Sequence, residues 1–349
     1  MDITKLEKIL RAENQPKYRL EQIRKAIFNY GISSFLDIST ISLALRKRLD
    51  GEMKILSFDV EKVLVASNGQ SAKALFKLRD GNFIESVLIS PKPGIWSVCI
   101  SCQVGCAMGC KFCATGKIGF KRNLTAEEIT DQILFWRQYL KRQESKNLLA
   151  ASPTSHVTNV VFMGMGEPFL NWKNVSQSIK ILTDKNLFGF SSRSISVSTC
   201  GIVGGVKEMA KEFPQVNLAI SLHFADDEKR NAYMPINKKE NLGILKKALQ
   251  EYFKIAKRKV FLEYIMLENI NDSKEDAKML ADYIKSIGFS HLLHVNLIRY
   301  NLVHEDFRSS SKSKIYAFKK ELGKYKVNST IRKSLGEEIK GACGQLAVH

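Results

Sequence analysis

From residue 94 onward the chain alternates short runs rich in β-branched residues with longer amphipathic ones, and few folds accept that pattern. The runs "IWSVCIS" (95–101), "VTNVVFM" (157–163), "SISVST" (194–199), "NLAISL" (217–222), "KVFLEYIM" (259–266) and "LLHVNLI" (292–298) read as strands. Helices are expected between them at "TAEEITDQILFWRQYL", "VSQSIKILTD", "VGGVKEMAKEF", "LGILKKALQEYFKIA" and "SKEDAKMLADYIKSI". The first of these has a clear start, with Thr125 as N-cap and Glu128 at the position that completes a capping box. Such βα units predict an α/β fold with a parallel sheet and outer helices, either an open sheet or a curved, partial (βα)6 barrel. In a parallel barrel the chemistry sits at the carboxyl ends of the strands, so the residues following each strand are the candidates for function.

The preceding part differs. Residues 3–50 read as short amphipathic helices, with Leu20, Ile23, Ile27 and Phe28 on one face, and 54–90 as strands whose turns are set by "SNGQS" and "RDGN". A surface loop is expected at 143–156. Three units follow: a helical accessory domain (1–52), a small β-hairpin extension (53–93) and the α/β core (94–349).

The start of the chain lacks the apolar stretch of a signal peptide, and no apolar run is long enough to span a bilayer, so a cytoplasmic protein without a membrane partner is expected. Seven cysteines without an export signal favour metal binding or catalysis over a disulfide framework. Lys and Arg exceed Asp and Glu by 54 to 35, a formal charge of +19 that favours a polyanionic partner through phosphate contacts.

Five of the cysteines fall within "CISCQVGCAMGCKFC". Cys106, Cys110 and Cys113 are spaced C-x3-C-x2-C among small residues, so three thiolates could wrap one side of an iron–sulfur cubane and leave one iron open. A structural zinc site pairing Cys99 and Cys102 with Cys110 and Cys113 is the alternative, although the spacing between the pairs is short for one.

With Phe112 before the last of the three, this motif resembles the radical S-adenosylmethionine (SAM) superfamily. The wider string "QVGCAMGCKFCATGKIGFKRNLTAEEI" resembles the RlmN/Cfr adenosine methyltransferases of ribosomal RNA. The resemblance runs from about residue 4 to 346 and includes "GMGEPFLN", "SVSTCGI", "AISLHFADDEKR", "MPINKK", "EYIMLENIND", "HVNLIRYN" and "ACGQL". It implies a radical SAM barrel with a [4Fe-4S] cluster on Cys106, Cys110 and Cys113. It also implies SAM binding by Gly166, Glu167, Ser198, Ser221, Leu222, His223 and Asn301. Two SAM molecules would serve each turnover: one methylates Cys343, and the other is cleaved to a radical that activates the S-methyl group for addition to the base. Cys99 would then resolve the adduct by disulfide formation with Cys343, and Glu85 would accept a proton. Cys102 and Cys200 would be bystanders. In the tail, Leu335 and Lys340 depart from the commonest family pattern.

The family methylates carbon 2 or carbon 8 of one adenine. Val104, Pro168 and "GFKRNLT" resemble the carbon 2 branch, and "HVNLIRYN" the carbon 8 branch. Carbon 2 of an adenosine in 23S rRNA is the expected target, with tRNA as a second substrate, flavodoxin or ferredoxin as electron donor, and a monomer as the working form. A zinc-stabilised RNA-binding module without catalysis is the competing reading from another class.

Overall fold

The computed structural model describes residues 1–92, 94–145 and 156–348. It begins with helices α1 (Ile3–Ala12), α2 (Tyr18–Arg24) and α3 (Leu43–Glu52). Asp2 caps α1 by accepting from the Lys5 N–H, and Ser42 caps α3 by accepting from Leu45. A π-helical turn, Lys25–Asn29, continues α2. There the expected apolar face forms, with Ile23, Ile27 and Phe28 buried and Leu20 half-buried against the same core.

Strands β1 (Phe58–Val65), β2 (Ser71–Leu78) and β3 (Phe83–Lys92) form an antiparallel meander turning at the two predicted sites. β3 also pairs antiparallel with β4 (Ile95–Cys99), and from β4 onward the sheet is parallel. A separate two-stranded ribbon of β5 (Gln103–Gly105) and β6 (Phe120–Asn123) encloses the cysteine loop and the short α4 (Ala114–Ile118). The core continues through α5 (Ala126–Ser145), β7 (Val157–Phe162), α6 (Trp172–Thr183), β8 (Ile195–Thr199) and α7 (Val203–Glu212). Then come β9 (Asn217–Ser221), α8 (Asp227–Tyr233), α9 (Leu242–Ile255), β10 (Val260–Met266) and α10 (Lys274–Ile287). The chain ends its regular structure with β11 (Leu293–Arg299), α11 (Lys312–Lys324) and β12 (Ser329–Arg332).

Among the described residues one sheet runs in the order β1-β2-β3-β4-β7-β8-β9-β10-β11-β12. Its parallel register aligns apolar residues across strands, as in Val160 with Ile195, Val197 with Leu218, and Leu262 with both Ile220 and Val295, all without exposed surface. The predicted strands are all present. Beyond them, β12 extends the parallel sheet past the expected set, and β5, β6, α8 and α11 are further elements that the periodicity did not mark. The capping box is formed, Thr125 N–H to Glu128 Oε2 at 2.9 Å and Glu128 N–H to Thr125 Oγ1 at 3.2 Å. The helix it starts runs to Ser145, so 143–145 are helical rather than loop, while 146–155 lie outside the described residues.

Helix α5 ties the amino-terminal helices to the core. Arg137 donates to the carbonyls of Phe28 and Phe188, each at 2.9 Å, and Asp131 accepts from the Ser57 N–H at 2.9 Å and pairs with the amino terminus. On its inner face the Trp136 indole donates to Ser86 Oγ on β3 at 3.0 Å.

Candidate active site

The cysteine loop is held open by its backbone. Gly105 sits at φ +75° with a side-chain direction blocked by the Gly119 carbonyl, which an added Cβ would approach to 1.8 Å. That close crossing lets the Cys106 N–H donate to the Gly119 carbonyl at 2.9 Å. Further along, Cys113 N–H donates to the Cys110 carbonyl at 3.1 Å and Lys111 N–H to the Tyr233 carbonyl at 3.0 Å. The thiols of Cys106, Cys110 and Cys113 are half-buried and line one wall of a cavity of about 180 Å³, partly open to solvent. Burial pushes the Cys106 thiol up to about 12 and that of Cys110 higher still, so both remain protonated unless a positive charge compensates.

The opposite wall is built from strand ends. Ser198 and Ser221 close β8 and β9, with their hydroxyls 3.4 Å apart. Glu167 is 3% exposed. Its Oε2 accepts from the Cys200 N–H at 2.8 Å and its Oε1 from the Phe169 N–H at 3.1 Å. Burial raises its pKa while these N–H donors oppose the rise. His223 follows β9 in the left-handed region, φ 58°, where a residue with a Cβ is uncommon. Its Nδ1 accepts from the Ile265 N–H at 3.2 Å, and its ring meets Phe112 edge-on at 4.9 Å. Burial, with Arg230 nearby, pushes His223 down to about 3, so it is neutral at physiological pH.

Not every expected residue reaches this cavity. Gly166, Glu167, Ser198, Ser221 and His223 line it, whereas Leu222 and Asn301 do not. Leu222 points into the main hydrophobic core and offers its carbonyl to Arg230 at 3.2 Å. Asn301 donates to the Cys343 carbonyl at 3.1 Å and accepts from Ser334 Oγ at 2.6 Å. The glycines of "GMGEP" also serve a close approach within the chain. A Cβ at Gly164 would lie 2.6 Å from the Ile100 carbonyl, and one at Gly166 2.6 Å from the Gln103 side chain, so both positions are packed against the segment after β4 while also lining the cavity.

Cys99 and Cys343 come together. Both line a second cavity that adjoins the first, and Cys343 borders both, as do Cys113 and Arg332, so its loop lies where the two meet. Burial pushes the Cys99 thiol up to about 12; Cys343 adds to the rise and Arg332 opposes it. Glu85, expected nearby, has no exposed surface and pairs with Lys73 at 2.7 Å. Its carboxylate also accepts the Ala347 N–H at 2.9 Å.

Three groups at the site went unmarked by sequence patterns. Arg332, at the end of β12, borders both cavities and faces Glu263 at 3.6 Å. Arg230 is fully buried and joins two strand ends, donating to the Cys200 carbonyl at 2.6 Å, the Leu222 carbonyl at 3.2 Å and Asn237 Oδ1 at 2.7 Å. Lys73 is the third. The signals were present in "STIR" after a helix, in "DEKRNAYMPIN" and in a lysine inside an otherwise apolar strand.

The donor set suits a cluster better than zinc. Cys102 is 2% exposed and packs in the main core, while Cys110 and Cys113 pack with a second apolar group around Phe112, which separates the pairs the zinc reading needs. Among the described residues no His, Cys, Asp and Glu set converges on one ion. Three thiols spread along one cavity wall fit a polynuclear group, with Cys106, Cys110 and Cys113 as its holders.

Comparison with known proteins agrees with this geometry. The profile of the Radical SAM superfamily matches residues 100–281. The chain is 44% identical over 333 residues to "Ribosomal RNA large subunit methyltransferase Cfr" of Clostridium botulinum (strain Okra), covering 95% of this chain and 92% of the relative. It is 40% identical to "Probable dual-specificity RNA methyltransferase RlmN" of Carboxydothermus hydrogenoformans, covering 97% and 94%. The crystal structure of a radical SAM methyltransferase from Sphaerobacter thermophilus superposes with a TM-score of 0.89 at 34% identity, covering 100% of this chain and 98% of that one. Three thiols on one loop, a wall of strand-end polar groups and this full-length similarity lead to one assignment: the chain belongs to the radical SAM superfamily and, within it, to the Cfr/RlmN family of RNA methyltransferases.

Proposed function

We propose that this protein methylates carbon 2 of an adenosine in 23S rRNA, with Cys343 carrying the transferred carbon. The observation that supports this reading most directly is the placement of Cys343 where the three-thiol cavity meets a second one that also contains Cys99. A [4Fe-4S] cluster held by Cys106, Cys110 and Cys113 would supply the electron that cleaves SAM. The polar wall of Gly166, Glu167, Ser198, Ser221 and His223 orients SAM, and the neutral imidazole of His223 donates no charge there. Cys343 takes a methyl group from a first SAM and presents it, and a second SAM is consumed in activating it. Cys99, across the second cavity, displaces the carbon from the Cys343 sulfur by forming a disulfide. Glu85 as proton acceptor must act from a buried position beside Lys73. Leu222 and Asn301 stand off the cavity wall, and Asn301 holds the Cys343 carbonyl instead.

A specific observation keeps carbon 8 as the second reading: "HVNLIRYN" resembles that branch, and relatives named Cfr are prominent among the similar proteins. The +19 charge suits RNA, with tRNA a second substrate, and the electron donor is a small acidic redox protein such as flavodoxin or ferredoxin. The protein acts as a cytoplasmic monomer. The deciding experiment is mass spectrometry of adenosine from 23S rRNA and tRNA treated with the reconstituted enzyme and SAM. A methyl group on carbon 2 is expected, one on carbon 8 selects the second reading, and unmodified adenosine with stoichiometric zinc in the protein sinks both. RNA affinity is expected to fall steeply with salt as counterions compete, and a flat salt titration would remove the basic surface from the account.

A further inference from the structure

The antiparallel strands grip the Cys343 segment at both ends. Upstream, Ser67 in the β1–β2 turn donates its backbone N–H and its Oγ to the Glu338 carboxylate, the latter at 3.0 Å, and Lys333 Nζ donates to Gln70 Oε1 at 3.2 Å. Downstream, the Ala347 N–H donates to Glu85 Oε2 at 2.9 Å, while Lys73 Nζ lies 2.7 Å from Glu85 Oε1. Lys73 and Glu85 are 3% and 0% exposed, and they are the buried charged residues of two adjacent strands whose other buried side chains are apolar or serine. An ion pair there loses much hydration and is retained only if its geometry and added hydrogen bonds repay that loss. Apolar residues of similar size would stabilise the sheet at least as well, so the pair calls for a role beyond stability. The bond to Ala347 supplies it, because a carboxylate oriented by Lys73 is a strong, directional acceptor that adds orientation to the apolar anchoring of Ile339, Ala342 and Leu346.

We propose that Lys73 and Glu85 form a buried clasp on the Cys343 segment, in which Lys73 is a positioning residue holding Glu85 on the Ala347 amide, and that this clasp and the Ser67–Glu338 latch set where Cys343 stands between the cavities. The antiparallel strands are thus the seat of the carrier as well as an attachment for the amino-terminal helices. The catalytic consequence rests on the reading of Cys343 as methyl carrier, whereas the clasp itself does not.

Lys73→Met in the full-length protein tests it. Hydrogen exchange in peptides covering 341–348 should quicken about ten-fold or more as the amide bond to Glu85 opens more often. Alkylation of Cys343 by iodoacetamide should rise in parallel while Cys102 and Cys200 stay protected. Exchange in β2 and β3 should be unchanged, and methylation of RNA should lose kcat with KM for RNA unaltered. Unchanged exchange and alkylation in a folded variant would overturn the clasp, and a loosened segment with wild-type turnover would overturn its positioning role. If Lys73→Met does not fold, Ser67→Ala and Glu338→Gln, both on the surface, should quicken exchange of 336–341; wild-type exchange in both would overturn the latch. Cys343→Ala that still methylates RNA would defeat the carrier reading alone, since the exchange measurements stand without it.

Discussion

The loop of Cys106–Cys113 and the segment carrying Cys343 face each other across the site but are secured by different means. The first is tied by backbone-to-backbone bonds into the β5–β6 ribbon and the Tyr233 carbonyl, beside Gly105, where there is no room for a side chain. The second is anchored by the buried side chains of Ile339, Ala342 and Leu346 and by side-chain hydrogen bonds: Asn301 on the Cys343 carbonyl, Gln345 on that of Leu302 at 3.3 Å, Thr115 on that of Leu346 at 2.6 Å, and Glu85 on the Ala347 amide. One main-chain bond reaches it from the cluster loop, Ala114 N–H to the Gly344 carbonyl at 2.8 Å. A loop built from backbone bonds and close crossings keeps one shape. A segment held in part by separate side-chain bonds, each contributing about 1 kcal/mol, can be shifted by small changes, as suits a thiol that must serve two cavities.

The largest test of this contrast deletes one thiol from each side. Cys343→Ala is expected to retain iron and lose all RNA methylation, a fall of roughly a thousand-fold or more, whereas Cys110→Ala is expected to lose the iron itself. Cys102→Ser should keep its iron, and equal iron loss in Cys110→Ala and Cys102→Ser would erase the distinction. Next is Gly105→Ala, which puts a Cβ against the Gly119 carbonyl at φ +75°. It should cost about 3 kcal/mol of stability and reduce iron content, read by denaturant unfolding and iron analysis; a tolerated alanine would show that the cluster loop is not held by that crossing.

A smaller effect separates the two thiols by pH. With Cys99 pushed up to about 12, its thiolate fraction grows about ten-fold per pH unit through the neutral range. Resolution of a trapped RNA–Cys343 adduct should therefore speed up from pH 7 to 9 in proportion, His223 being neutral throughout that range. A rate independent of pH would remove Cys99 thiolate attack as the limiting step. Smallest is Asn301→Ala, which should slow turnover about three- to ten-fold by loosening the Cys343 carbonyl without changing iron content or SAM affinity. A large loss of SAM affinity instead would return Asn301 to the cofactor.

Those outcomes bear on how far residues announce their roles. The parallel core was legible because its strands and helices keep distinct periods, and the capping box at Thr125 is a local pattern that tertiary contacts had no reason to change. The cysteine loop stood out by its spacing, which left a zinc site as the alternative, and the longer string around it carried the cluster reading. β12 escaped because four residues, "STIR", are too few to show alternation, and with it escaped Arg332. Gly166 is named by the resemblance as a SAM residue, but only the fold shows that Gly164 and Gly166 are also packed against the segment after β4. Lys73 and Glu85 lie twelve residues apart on separate strands, and their pairing follows from a sheet register that composition does not reveal.

The meeting of the two cavities at Cys343 has a consequence for inhibition. On the proposed reading SAM lies against the wall of Ser198 and Ser221 and the RNA base on the side of Val87, Ile89, Val161 and Leu335, so a small molecule filling the latter side would exclude RNA while leaving the SAM wall open. Such a compound would compete with RNA and act noncompetitively toward SAM, and a SAM analogue would show the reverse pattern. Because that side is framed by Leu335, which departs from the commonest family pattern, as well as by the sheet, selectivity between family members would be sought there rather than beside the three thiols.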